Sequence, residues 1–344
     1  MPMPITRYYG SKRKLVERIG DTLRDQHVQY NSVLDMFGGT GIVSYYMAQQ
    51  GKRVVYNDIM RFNCYIAKAL LCTLQGTFTE EDALALLHEW DGIEYHHYVQ
   101  DWFEGIYYTD DENHTIDVVV QNIQQLPEQK KASAYYVLFQ SCLIKRPFNL
   151  FHRKNLNLRT NFTTAKFGNK KTWETSFEEL FIRFTKELNR CQFEIMPNVE
   201  ITNVSALNSN SVADLLYVDP PYFPLKNSNV TYHSRYHFLE GLVNYDQIPQ
   251  LINNSKLNRE VICGINIEFE NKVNFIRDLE TLFMQHEEST IALSYNTDGY
   301  PSVEELSAII GHYKPHVNIC YLGEYGYALN RHNMGRQEVL IIGQ

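Results

Sequence analysis

Lysine and arginine are missing from Gly76 to Gln129, although Glu80, Glu81, Asp82, Asp110, Asp111, Glu112 and several further acids fall there. Aspartate and glutamate are missing in turn from Lys145 to Lys171. A formal charge of −8 over 344 residues therefore hides two adjacent blocks of opposite sign, and argues only against a chain that coats nucleic acid along its whole length. No C-x-x-C pair occurs among the six scattered cysteines, which excludes a disulfide framework and leaves them as reduced core residues. His96-His97 and His233/His237 come without the cysteine or carboxylate spacing of a zinc site, so no metal is expected. No apolar run nears the ~18 residues of a membrane span, and Met1-Pro2-Met3-Pro4 before Arg7 lacks the apolar segment of a signal peptide. A cytoplasmic protein is expected, with no membrane partner.

Strand-like apolar runs alternate with helical patterns, the signature of an α/β sheet with helices on both faces. The length suits one such core carrying an inserted lobe. Leu215-Leu216-Tyr217-Val218 is a buried-strand pattern that stops at Asp219-Pro220-Pro221-Tyr222. Two prolines cannot continue a ladder, and they hold the preceding residue extended. A carboxylate and an aromatic ring are thereby fixed at the carboxyl end of a strand, where open α/β sheets bind ligands. Asp219 and the Pro220 carbonyl can each accept one N–H of an exocyclic amine, while Tyr222 can stack on a planar base.

Earlier in the chain, Ser32-Val33-Leu34-Asp35 runs into Met36-Phe37-Gly38-Gly39-Thr40-Gly41 and then a helix through Gln50. The spacing is not the G-x-G-x-x-G of dinucleotide sheets, which weighs against a nicotinamide cofactor. Val54 to Ile59 forms a second strand ending at Asp58, about twenty residues past the glycines, where such sheets place a ribose-binding carboxylate. An acid at each strand end suits a ligand with an amine or cationic group and a ribose, such as S-adenosylmethionine. The segment Arg7-Tyr8-Tyr9-Gly10-Ser11-Lys12, ahead of a helix over Leu15–Leu23, can lay a ring and a lysine over such a ligand.

Helices over Glu81–Glu89, Ala132–Leu143 and Phe177–Cys191 mark an insert between Ala67 and Asn198. Within it Lys145, Arg146, Asn149, His152, Arg153, Lys154, Asn155 and Arg159 interleave with aromatics, followed by Lys166 to Trp173 with Lys170 and Lys171. Cations neutralise phosphates, and asparagine and arginine read base edges, so this stretch points to DNA. Beyond it the expected elements are strands at Val199–Val204, Glu260–Ile265 and Thr290–Asn296, an aromatic loop at His233–Phe238, and helices at Tyr245–Asn253, Phe275–His286 and Ser302–Tyr313. Val317–Leu322 and Glu338–Ile342 close the sheet as an antiparallel pair, with Arg331–Arg336 between them.

Together Arg7–Lys12, Asp35–Gly41, Asp58, Asp219-Pro220-Pro221-Tyr222 and Leu293-Ser294-Tyr295-Asn296 resemble the Dam-like group of DNA adenine-N6 methyltransferases. The resemblance spans nearly the whole chain. It implies a Rossmann-like methyltransferase domain over 1–66 and 199–344, with a helical target-recognition lobe over 67–198. It implies S-adenosylmethionine as cofactor, S-adenosylhomocysteine as product and double-stranded DNA as partner, with a restriction-modification setting and a possible cognate endonuclease. Tyr8 and Lys12 would contact the cofactor, Asp35, Phe37 and Gly38 its methionine end, and Asp58 its ribose. Asp219, Pro220 and Tyr222 would take the target adenine. Asn203-Val204-Ser205 stands where members often carry an acid against the cofactor's adenine, leaving Ser205 as the candidate. The rival readings are the same chemistry on cytosine N4 or on RNA adenine, or a non-catalytic DNA-binding subunit of the same fold.

Overall fold

The computed structural model describes residues 1–160, 170–224, 230–264, 268–324 and 337–344. The chain divides into two compact units. One comprises Tyr9–Ile59, Pro197–Asn229 and Asn266–Gln344, and the other Met1–Tyr8, Met60–Met196 and Val230–Ile265.

The first unit is built on a sheet. Its strands are β1 (Ser32–Asp35), β2 (Arg53–Asn57), β3 (Val199–Thr202), β4 (Leu215–Val218), β5 (Phe223–Pro224), β6 (Thr290–Asn296), β7 (Gly299–Tyr300), β8 (Val317–Glu324) and β9 (Gln337–Gly343). Seven of them form one sheet in the order β3-β2-β1-β4-β6-β9-β8, while β5 and β7 pair separately. The first five members of that order run parallel, and β9 lies antiparallel to both β6 and β8. Flanking helices at Val16–Asp25, Ile42–Gln49, Phe275–Gln285 and Val303–Gly311 explain the unbroken apolar strands, because a parallel sheet must be covered on its faces. All four residues of β4 are buried, and Leu34, Leu216, Val218, Leu293 and Ile341 meet Leu279, Leu282 and Leu306 in one core. Strand order reverses between β1 and β4, the switch point at which open sheets expose their ligand crevice.

The second unit is helical. Glu128–Ile144 is buried on every side from Ala132 to Leu143, as a central helix must be, and packs against Arg61–Leu71, Asp110–Gln125 and Phe177–Cys191. Two sequence expectations give way in this unit. His233–Phe238 is not a loop but part of the helix Tyr232–Val243, started by the Thr231 side chain accepting from the Ser234 amide at 3.0 Å. Its polar appearance misleads because His233 and His237, one turn apart, are both buried and hydrogen-bonded to backbone. Nor are the described residues of Glu260–Ile265 a strand: Val261 makes one isolated bridge to Ile252, and left-handed Arg259 and Gly264 stop the ladder on either side. Ile265 and Arg331–Arg336 lie outside the described residues. Among the described residues no helix is long and apolar enough to cross a membrane.

Thr109 with Glu112 and Ser302 with Glu305 form capping boxes readable from their spacing. The helix Arg61–Leu71 has no such local cap at Met60. Instead the Glu240 carboxylate, 1 % exposed, accepts from the Arg61 and Phe62 amides at 3.1 Å each. Glu240→Ala should leave both amides without that acceptor, the Phe62 amide in a buried setting, and cost about 1–3 kcal/mol. Urea unfolding followed by far-ultraviolet circular dichroism would check the loss.

Candidate active site

Asp219 is the first residue past β4, and Pro220 and Pro221 supply no N–H to extend that strand. The chain therefore turns out of the sheet, and Tyr222 folds back so that its hydroxyl donates to Asp219 Oδ1 at 2.8 Å. The Tyr222 ring is half-buried and lies 4.8 Å, centroid to centroid, from Tyr295 on β6. Lys12 enters from a short 3₁₀ turn, Lys12–Lys14, capped by Ser11. Its Nζ donates to the Tyr222 hydroxyl and lies 3.1 Å from Asp219 Oδ1. At the same distance, 3.1 Å, is Oε2 of Glu338 near the start of β9. Lys12 is 5 % exposed and Glu338 fully buried.

These charges determine one another. Burial alone would lower the Lys12 ammonium, yet Asp219 and Glu338 outweigh it and raise it above the ordinary lysine value, so it stays cationic. The Asp219 carboxyl is raised, first by burial and further by Glu338, against the opposing pull of Lys12 and the Tyr222 hydroxyl.

Beside this cluster Asp35 ends β1, 1 % exposed. Its Oδ2 accepts from the Ser44 amide at 3.2 Å and the Ser44 hydroxyl at 2.7 Å. Burial pushes the carboxyl up to about 7; the Ser44 bonds oppose the rise, while the charges of Asp219 and Asp58 add to it. The glycine turn between β1 and the helix Ile42–Gln49 is tightly specified. Gly41 is left-handed at φ 73°, and a Cβ on Gly38 would sit 2.1 Å from the Tyr56 ring. Asp58 Oδ2 accepts from the Gly39 amide at 2.8 Å, so the carboxylate ending β2 also fixes the turn after β1. Phe37 is half-buried, edge-on to Phe269 at 4.8 Å.

At the end of β3, where the resembled family often carries an acid, the Asn203 side chain donates to the carbonyls of Asp58 (2.7 Å) and Ile59 (3.0 Å) and ties two strand ends together. Ser205 starts the 3₁₀ turn Ala206–Asn208 and bonds Glu268. Thus Lys12, Asp35, Phe37, Gly38, Asp58, Ser205, Asp219, Pro220 and Tyr222 all belong to the sheet unit, and Asp35, Asp58 and Asp219 stand at the carboxyl ends of neighbouring parallel strands. Tyr8 belongs to the helical unit, where it stacks on Tyr236 at 4.7 Å and accepts from Asn63 at 3.2 Å. Glu338 escapes sequence reasoning, its one signal being an acid at the head of the apolar run Val339–Ile342. Among the described residues no group of histidine, cysteine and acidic side chains could hold a metal.

The basic stretch divides by burial. Lys145 and Arg159 both pair with Glu112: Lys145 Nζ lies 2.9 Å from Oε1, and Arg159 grips both oxygens at 2.7 and 2.8 Å. Lys145 also donates to the carbonyls of Trp173 and Thr175. Burial drives Glu112 upward, but these two cations prevail and hold it below the ordinary glutamate value. Arg146 is 1 % exposed, its guanidinium 4.3 Å from the Tyr107 ring centre and bonded to the carbonyls of Leu150 and Arg153. The expectation that Lys145, Arg146 and Arg159 meet phosphate is therefore corrected, since their charged ends are buried and held by partners inside the unit. Arg153, Lys154 and Lys171 are exposed, and Asn149, His152 and Asn155 partly so. Burial and neighbouring arginines lower His152 to about 4, leaving it neutral at neutral pH. Lys170 lies in the short helix Lys170–Glu174, and Lys166–Asn169 lie outside the described residues.

A family model described as D12 class N6 adenine-specific DNA methyltransferase matches residues 8–279. The chain is 24% identical over 318 residues to the Type II methyltransferase M2.HphI of Haemophilus parahaemolyticus, covering 89% of this chain and 87% of that protein. It is likewise 24% identical over 318 residues to the Type II methyltransferase M.NlaIII of Neisseria lactamica, covering 88% and 86%. Modification methylase LlaI of Lactococcus lactis subsp. lactis is 25% identical over 326 residues, which are 87% of this chain but 47% of that longer protein.

Removing the shared anion of two buried cations should be costly. Glu112→Ala is expected to destabilise the protein by about 3–5 kcal/mol, whereas Lys154→Ala on the exposed face should stay within ~0.5 kcal/mol. Denaturant midpoints of the two variants, compared directly, would check the contrast.

Proposed function

Because this chain belongs to the D12 class of N6 adenine-specific DNA methyltransferases, we propose that Asp219, Pro220 and Tyr222 hold its target adenine. The chain is an enzyme that methylates adenine in DNA, which sets aside cytosine N4, RNA and a non-catalytic subunit. The observation that carries the site assignment is the Lys12–Asp219–Tyr222 cluster, placed at the switch point with Asp35 and Asp58 on the neighbouring strands.

Adenine stacked in a duplex cannot reach a methyl donor, so the base is extruded at a cost of a few kcal/mol. The Tyr222 ring stacks on it and recovers part of that cost. Adenine's N6 lone pair is delocalised into the ring and attacks poorly. Asp219 and the Pro220 carbonyl accept the two N6–H groups and draw the nitrogen toward tetrahedral geometry, directing its lone pair outward. Bound S-adenosylmethionine supplies the methyl group as an electrophilic sulfonium. Its cationic and hydroxyl groups match the carboxylate acceptors on this chain. Asp35, Phe37 and Gly38 hold the methionine end, Asp58 the ribose, and Lys12 and Ser205 complete the contacts. Acids at three adjacent strand ends favour a cation, and the glycine turn lets backbone approach closely.

Target recognition falls to the helical insert within 67–198, whose exposed Arg153, Lys154 and Lys171 face solvent as phosphate ligands on double-stranded DNA. Relatives named as Type II methyltransferases support a restriction-modification role with a cognate endonuclease, and six free cysteines support a cytoplasmic location.

Asp219→Ala should leave S-adenosylmethionine binding by calorimetry within about threefold of wild type and reduce label transfer to mixed-sequence DNA by at least ~10³-fold. Wild-type transfer in that variant would remove Asp219 from the chemistry. Arg153→Ala combined with Lys154→Ala should weaken DNA binding and reduce the slope of log K against log salt by about 2. An unchanged slope would take that face out of the interface.

A further inference from the structure

Glu338 is the fully buried member of the cluster that neither the motifs nor the family match accounts for, since that match ends at residue 279. It stands on β9, cross-strand from Asn296 on β6, and reaches the same Lys12 ammonium as Asp219. Its Oε2 is as near to Lys12 as Asp219 Oδ1 is, 3.1 Å in each case. A salt bridge between Lys12 and Asp219 alone would be a closed pair of opposite charges. A second carboxylate converts it into one cation shared between two anions.

We propose that Glu338 is a positioning residue for methyl transfer: by holding half of the Lys12 ammonium, it keeps Asp219 a strong hydrogen-bond acceptor for the adenine amine. The inference rests on the assignment of Asp219 above. Were Lys12 committed to Asp219 alone, the carboxylate would meet N6–H with its charge largely neutralised and would polarise the amine less. Were Lys12 absent, Asp219 would be a half-buried carboxylate raised by desolvation and by Glu338, and protonated more readily. The shared arrangement avoids both. The Tyr222 hydroxyl belongs to the same device: it accepts from Lys12 and donates to Asp219, with Glu338 Oε2 only 3.3 Å away.

The charged and titratable groups around Asp219 are Lys12 from the N-terminal turn, Tyr222 from its own turn, Glu338 from β9, Asp35 from β1, and Tyr217 from β4. Asp58 from β2 acts on Asp35. Of these acids, Glu338 is the one besides Asp219 that pairs with Lys12. Removing its charge strengthens the hold of Lys12 on Asp219, so Asp219 loses its proton at lower pH and accepts more weakly once ionised.

The test is a single-turnover pH profile of methyl transfer to mixed-sequence DNA at saturating S-adenosylmethionine, for wild type, Glu338→Gln and Glu338→Asp. Glu338→Gln should move the acid limb down by about one pH unit and lower the plateau rate about tenfold. Glu338→Asp, which keeps the charge but withdraws it by one methylene, should lie between. Cofactor affinity, read by calorimetry, should change less than about threefold, since Glu338 acts through Lys12 on Asp219. If Glu338→Gln does not fold, Glu338→Asp is judged alone against wild type. An acid limb and plateau at wild-type values in either folded variant would overturn the proposal, whereas a merely structural role would lower the melting temperature without moving the limb. Failure here is separable from failure of the Asp219 assignment: an inactive Asp219→Ala beside an unmoved Glu338→Gln profile sinks only this inference.

Discussion

An ammonium removed from water needs compensating charge, and the placement of that charge organises the end of the sheet. Lys12 is held by both Asp219 and Glu338, and its ammonium also donates to the Tyr222 hydroxyl. Removing one partner from a buried ion pair costs about 3–5 kcal/mol, so the cluster constrains everything attached to it. Those attachments are the N-terminal turn, the Pro-Pro exit from β4 and the start of the closing β9 strand. Three segments far apart in the chain are fixed in one register by a single cation.

The same constraint gives the site its sign. Asp35, Asp58 and Asp219 end three parallel strands, against one buried lysine. Burial, with the charges of Asp219 and Asp58 adding to it, is why Asp35 lies near 7 and not in the ordinary carboxylate range. A cation placed among these acids would relieve their repulsion. Asp58 and Asn203 have a second task, since each bonds backbone of a neighbouring segment and so fixes the walls of the crevice.

In the helical unit the pairing rule works in the opposite direction. The acidic block and the basic block that follows it are partners rather than two independent surfaces, for Glu112 of the first neutralises Lys145 and Arg159 of the second. A run of cations without a single acid reads as one continuous nucleic-acid face, yet part of it is an internal strut. Among the described residues, what remains outward is the patch around Arg153, Lys154 and Lys171.

Local chemistry was enough to make much of this legible in the chain itself. Prolines that cannot pair, glycines that accept a left-handed turn without strain, and acids closing apolar runs are covalent facts, so Asp35, Asp58 and Asp219 could be placed on strand ends, and Gly38 in the turn after one, before any fold was known. Helix Phe177–Cys191 and the β8–β9 pair were legible for the same reason, their hydrophobic period being a property of neighbours in sequence. Burial and long-range pairing are not such properties. Only the folded chain brings Glu338 across 326 positions to Lys12, sends Glu240 back to cap a helix at Arg61, and turns His233–Phe238 inward as a helix. Solvent exclusion decides which charges must find partners, and it acts on the packed molecule rather than on the string of residues.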